Sequence, residues 1–161
     1  MLQLKQISKT FSKSTPNEHR ALQQVNRTLE DGDFVTVVGS NGAGKSTLFG
    51  AIAGSFYTDE GRILLDGTDL TFQPEHQRSR VIGRLFQDPM RGTAPHMTIE
   101  ENLALAYLRA NGRMSPFSVV TKADRERFRE QLSRLGLGLE TRMSQPVGLL
   151  SGGQRQALTL L

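Results

Sequence analysis

The chain has 161 residues, 37% of them hydrophobic and 22% charged, which is the balance of one ordinary globular domain able to bury a core without staples. It contains no cysteine, which excludes disulfides and thiolate metal sites and agrees with a reducing compartment. The net charge of +4 is scattered, and the densest basic stretch, "KADRERFRE" at 122–130, alternates with acids as a solvated helix face does, so no nucleic-acid partner is expected.

In chain order, "LQLKQIS" (2–8) alternates apolar and polar residues and predicts a strand. The N-terminus lacks the apolar run of a signal peptide, and no segment reaches the roughly 18 unbroken apolar residues of a membrane span. A polar loop "STPNEHR" (14–20) precedes "ALQQVNRTLE" (21–30), which runs into Asp31-Gly32, a hairpin-type turn. "DFVTVVG" (33–39) is β-branched and apolar on both faces, as a buried parallel strand is. A helix is expected from Lys45 to about Ala53, stopped by Gly54. "GRILLDGTDL" (61–70) predicts a strand pair around Asp66-Gly67, and "RVIGRLFQ" (80–87) a second buried strand, ended by Asp88-Pro89.

Beyond Pro89 the period becomes helical. Thr98 with Glu101 forms a capping box, Ile99, Leu103, Ala106 and Tyr107 share a face, and Asn111-Gly112 stops the helix. Thr121 and Asp124 repeat the opening, with a stripe of Phe128, Leu132 and Leu135 and a stop at Gly136. These stripes are expected to be core.

Two stretches carry chemistry. "GSNGAGKST", made of Gly39, Ser40, Asn41, Gly42, Ala43, Gly44, Lys45, Ser46 and Thr47, fits the phosphate-binding pattern G-x-x-x-x-G-K-[ST] between an expected strand and an expected helix. Glycines let the backbone curl around an anion, and the helix adds unpaired N–H groups and the positive end of its dipole. Lys45 supplies a full charge for the β- and γ-phosphates, Ser46 a hydroxyl for Mg²⁺, and Thr47 a reach to the α-phosphate. Near the C-terminus, "LSGGQ" places Ser151 as an N-cap before Gly152, Gly153 and Gln154, a second anion cradle at a helix start. One chain folded around one nucleotide has little use for two such cradles, whereas two chains packed head to tail would use both.

The P-loop, then "LFQDP", then "LSGGQRQAL" resembles the ATP-binding cassette (ABC) family, the nucleotide-binding subunits of ABC transporters. The resemblance covers the whole chain in the right order. It implies an α/β fold: a P-loop NTPase domain of the ABC-ATPase type, truncated, with an N-terminal antiparallel β subdomain and an inserted helical subdomain. On that pattern residues 1–90 hold the β subdomain and the P-loop core up to Gln87, residues 91–150 the helical subdomain, and residues 150–161 the signature and the start of its helix. Phe11 resembles the aromatic that stacks on adenine, and Gln87 the glutamine that touches Mg²⁺ and the attacking water. Ser151, Gly152, Gly153 and Gln154 resemble the signature that grips the γ-phosphate of a partner's ATP. The implied catalytic pair is Lys45 and Gln87, the Mg²⁺ ligands Ser46 and Gln87, and the cofactors ATP and Mg²⁺. The implied partners are a second cassette, as a head-to-tail homodimer, integral membrane permease subunits and a solute-binding protein, with the protein peripheral on the cytoplasmic face of the cell membrane. The stretch 86–106 resembles cassettes linked to uncharacterised or aromatic-amino-acid uptake. The alternatives are a soluble non-transport ABC ATPase and a nucleotide-binding fragment that never turns over.

The departure from the family pattern comes after the signature. The family's strand ending in Asp-Glu, its D-loop and its switch histidine have no counterpart before Leu161, and His19, His76 and His96 all precede the signature. The expectation is an N-terminal fragment that binds nucleotide weakly, hydrolyses it negligibly and, lacking the strands between 33–39 and 80–87, exposes apolar strand edges that aggregate.

Overall fold

The alternation at 2–8 marks part of a longer strand. In a computed structural model, which describes residues 1–110 and 120–161, β1 covers Leu2–Phe11. It pairs antiparallel with β2 (His19–Leu29) on one side and β3 (Glu60–Leu65) on the other, and β4 (Thr68–Asp69) closes the Asp66-Gly67 turn, so the sheet order is β2-β1-β3-β4. Leu4, Ile7, Leu22 and Ile63 bury on this sheet, together with Ala51 and Leu70. Leu48, Ile52 and Phe56 pack against them, and burial of this apolar surface is what holds helix α1 (Lys45–Ala53) to the sheet.

The end of α1 is fixed twice. Gly54, in the left-handed conformation, donates its N–H to Ala51 O and Ser55 donates to Gly50 O, which closes the last turn as a Schellman motif. Arg78, on the short helix α2 (Glu75–Arg78), then adds its guanidinium. It donates to the carbonyls of Ala51, Ile52, Thr71 and Gln73 at 2.7 to 3.0 Å, and its side chain is fully buried. Burial lowers its pKa, and the four carbonyls supply the acceptors that water would otherwise provide.

Two expected strands do not form. Residues 33–40 and 82–86 have no regular secondary structure. Phe34 and Val38 are 93% and 92% exposed, and Val81 and Leu85 are more than half exposed. The pattern specified strands buried on both faces, but a strand exists only beside a neighbour that completes its hydrogen-bond ladder. Among the described residues no strand lies next to either segment.

The chain divides into two units, Met1–Ile82 and Gly83–Leu161. In the second, α3 (Ile99–Ala110) and α4 (Lys122–Ser133) open on the expected capping boxes: the Thr98 hydroxyl accepts from Glu101 N–H and the Thr121 hydroxyl from Asp124 N–H, both at 3.2 Å. Ile99, Leu103, Phe128 and Leu132 bury as expected, with Tyr107 and Leu135 against them, alongside Leu139, Met143, Val147, Leu150 and Leu158. Ala106 does not join them. It is exposed and Ala104 is buried instead, because the buried face of α3 turns toward 103 and 104 in its middle. The stop at Asn111-Gly112 lies outside the described residues. Turns of 3₁₀ helix at Pro89–Gly92, Leu139–Thr141 and Val147–Leu149 lead to α5 (Gly152–Leu158). Among the described residues no helix is long and apolar enough to cross a membrane.

Candidate nucleotide-binding site

Residues 39–47 form a tight loop that turns directly into α1. Gly42 and Gly44 both have φ of +84°, and Ala43 donates to Ser40 O across the turn at 3.2 Å. Gly44 is required twice: its backbone is left-handed, and a Cβ there would lie 2.4 Å from the carbonyl oxygen of Ala21 on β2. That close approach seats the loop on the sheet. Gly44 is also the N-cap of α1 and offers no side chain to the helix, so the first N–H groups of α1 have no side-chain partner at the cap. Lys45 folds back over the loop, its ammonium 2.6 Å from Gly39 O and 2.7 Å from Ser40 O. A cation, uncapped helix donors and a glycine curl therefore converge within seven residues. This is an arrangement suited to a polyphosphate.

Phe11 lies at the end of β1, half-buried, with its ring edge-on to Phe56 at 5.3 Å and the Lys9 ammonium 5.5 Å from its centroid. Its cross-strand partner is His19, two residues from the Ala21 carbonyl that the P-loop abuts. At about 3.3 Å per residue along a strand and about 5 Å across the pair, Phe11 is on the order of 10 Å from the loop, the scale of a nucleoside triphosphate.

The second unit holds Gln87 and the signature residues. Gln87 is exposed in a bend, followed by Asp88, whose carboxylate caps the 3₁₀ turn by accepting from Met90 N–H at 2.9 Å. Ser151 is the N-cap of α5, as its position predicts, and its N–H and its hydroxyl oxygen are engaged locally. The hydroxyl accepts from Gln154 N–H and the Gln154 amide oxygen accepts from Ser151 N–H, each at 3.2 Å. Gly152 and Gly153 are exposed, with open space where side chains would stand. Arg155 holds the preceding turn by donating to Val147, Gly148 and Leu150 carbonyls, and it also touches Met90 sulfur. The turn is tied to the base of α3 as well, through Val147 N–H to Met97 O and Gly148 N–H to Pro95 O.

The structure thus places the P-loop and Phe11 in one unit and Gln87 with the signature in the other. Sequence reasoning missed Arg78 and Arg155. Both are arginines that grip backbone carbonyls, and nothing in the sequence separates them from the solvated arginines nearby. For Mg²⁺, the Ser46 hydroxyl and the Gln87 amide are hard oxygen ligands of the right kind. Among the described residues no cluster of three or more His, Cys, Asp or Glu could hold a metal.

A glycine loop of this shape, opening a helix and closed by a lysine, defines a P-loop nucleotide-binding protein. Residues 22–161 match the ABC transporter family, and the chain belongs to it. It is 37% identical, over its full length, to a tyrosine transport ATP-binding protein of Clostridioides difficile (strain R20291). It is 33% identical over 99% of its length to the spermidine/putrescine import ATP-binding protein PotA of Pasteurella multocida (strain Pm70). Among solved structures it resembles the ATP-binding cassette MJ0796 in a dimeric post-hydrolysis state bound to ADP and Pi, with a TM-score of 0.80 and 27% identity over 99% of the chain and 67% of that cassette. The chain spans 63% of the length of the first of these relatives and 38% of the second.

Proposed function

We propose that the protein is the ATP-binding subunit of an ABC importer, and that it works as a head-to-tail dimer. The observation that carries this reading is the Lys45 ammonium folded onto the Gly39 and Ser40 carbonyls at the mouth of an uncapped helix. A triphosphate offers that ammonium better acceptors than neutral carbonyls, so the loop holds it ready for exchange. Ser46 and Gln87 would hold Mg²⁺, Thr47 would reach the α-phosphate, and Phe11 would stack on the base. Ser151, Gly152, Gly153 and Gln154 would face the γ-phosphate on the other subunit. The Ser151 hydroxyl, although it accepts from Gln154 N–H, keeps its own proton to donate. The dimeric MJ0796 cassette with ADP and Pi supports this arrangement.

ATP binding would draw the subunits together, and hydrolysis would let them part. Membrane permease subunits contacting the region around Gln87 would convert that cycle into transport at the cytoplasmic face of the membrane, with a solute-binding protein delivering cargo. Similarity along the whole chain to a tyrosine transport protein supports an aromatic amino acid as that cargo. The protein as its gene encodes it is expected to bind Mg·ATP and to dimerise with it, as read by calorimetry and sedimentation. Lys45→Ala is expected to weaken ATP roughly 10- to 100-fold, the worth of one charge-assisted hydrogen bond or slightly more. Unchanged affinity would overturn the site. Co-purification with ribosomes or DNA instead of a permease would overturn the transport role.

A further inference from the structure

The end of β1 is pinned by a single carboxylate. Asp59, in the loop before β3, accepts Thr10 N–H on Oδ2 at 2.7 Å. Lys9 Nζ reaches Oδ1 at 3.2 Å and Lys13 Nζ reaches Oδ2 at 3.1 Å. The Asp59 N–H in turn donates to Ser8 O. Residues 8, 9, 10 and 13 are thereby held around Phe11 from both sides. Desolvation pushes the Asp59 carboxyl up, but the Thr10 N–H and the Lys13 and Lys9 ammonium groups outweigh it and hold it below the usual carboxylate range.

The same network reaches the Phe11 ring. Lys9 Nζ also donates to Tyr57 O at 2.8 Å, and from there it lies 5.5 Å from the centroids of both Phe11 and Phe56. Phe56 packs into a notch on α1 at Gly50, where a Cβ would stand 2.9 Å from its ring. The aromatic pair is therefore fastened to the phosphate-loop helix at one end and to Asp59 at the other.

We propose that Asp59 is a positioning residue for the purine ring of the bound nucleotide, acting through Phe11. This rests on the reading that Phe11 stacks on the base. Asp59 fixes the backbone that carries Phe11 and places the Lys9 ammonium against its ring. The ring is ordered before the nucleotide arrives, which removes part of the entropy cost of stacking. The cation draws ring π-density toward itself, which favours stacking with an electron-rich heterocycle. The network meets α1 at Gly50, near its C-terminal end, and among the described residues it bonds to no residue of the loop 39–47, so Asp59 governs base recognition and leaves phosphate recognition alone.

The test compares ATP with inorganic tripolyphosphate, binding both to the protein as its gene encodes it, with Mg²⁺ present. Asp59→Ala is expected to weaken ATP roughly fivefold, the upper end for a partly exposed charged pair, and to leave tripolyphosphate unchanged. In a Phe11→Ala background the same substitution is expected to add nothing. Asp59→Asn keeps one acceptor for Thr10 N–H, and it carries the test if the alanine variant melts early. It is expected to show the same split at roughly twofold to fivefold. Equal weakening of both ligands would show a merely structural role and overturn the proposal. So would an Asp59→Ala effect that persists in full without Phe11. If Phe11→Ala alone leaves ATP affinity unchanged, the stacking reading itself fails, a result distinct from either of these.

Discussion

The two glycine-rich helix starts in this chain are built in opposite ways. The P-loop helix begins at a glycine that caps nothing, and its cation rests on backbone carbonyls of its own loop. The signature helix begins at a serine whose hydroxyl and N–H are both engaged with Gln154, on a turn gripped by Arg155 and bedded on Val147, Leu150 and Leu158. The first leaves its donors open. The second bonds the N–H groups of Ser151 and Gln154 through its capping box and presents two exposed glycines between them. On the proposed function the open donors would enclose a flexible polyanion, and the braced edge would meet a ligand held by another subunit.

The supports differ as well. The segment leading into the P-loop is exposed and, among the described residues, lies beside no strand, whereas the segment leading into the signature is bonded to the base of α3 at two carbonyls. The P-loop is anchored instead from the side and from behind. Ala21 O meets Gly44, and Arg78 holds the carbonyls at the far end of α1.

Breaking the open site has the larger expected effect. Gly44→Ala forces a left-handed alanine, which costs about 1–2 kcal/mol on its own, and drives a methyl into the Ala21 carbonyl. It is expected to weaken nucleotide binding by more than roughly tenfold, as measured by calorimetry. Affinity at the unsubstituted level would show that the loop is not seated on β2 when it works. The capped site has a smaller exposure to substitution. Ser151→Ala removes the side-chain half of a capping box and is expected to cost about 1 kcal/mol in denaturant unfolding. A Ser151→Ala variant with no stability change would mean that Arg155 alone fixes the turn.

A weak pH effect sharpens the comparison last. The Thr98 N–H and hydroxyl hold Glu101 below the usual carboxylate range, at the cap of the helix whose base steadies the signature turn. A lowered folded-state pKa means the contribution is complete above the unfolded value of about 4.3 and is lost as pH falls through the folded value. A thermal-shift series from pH 6 to pH 3 is expected to fall less steeply for Glu101→Gln than for the unsubstituted protein. Equal slopes would remove Glu101 from that role.

The strong local signals were legible in the sequence. Lys45–Ala53 with its Gly54 stop, the Asp66-Gly67 turn, the boxes at Thr98 and Thr121 and the N-cap at Ser151 each depend on groups within a few residues of one another, so the chain specifies them wherever it folds. The P-loop was legible for the same reason, since its glycines and lysine act on their own loop. The strands at 33–39 and 80–87 were not decided this way. Their β-branched pattern states a preference, but a strand needs a neighbour, and only tertiary structure supplies or withholds one. Arg78, Arg155 and Asp59 belong to that second kind too. Each bonds to groups brought near by folding, some of them 27 to 65 positions away, and no pattern in the sequence marks those partners in advance. What this sequence determined alone is the local geometry of its two glycine-rich helix starts. The tertiary structure decided how firmly each of them is braced, because bracing is a matter of long-range contacts between backbone carbonyls and arginine side chains.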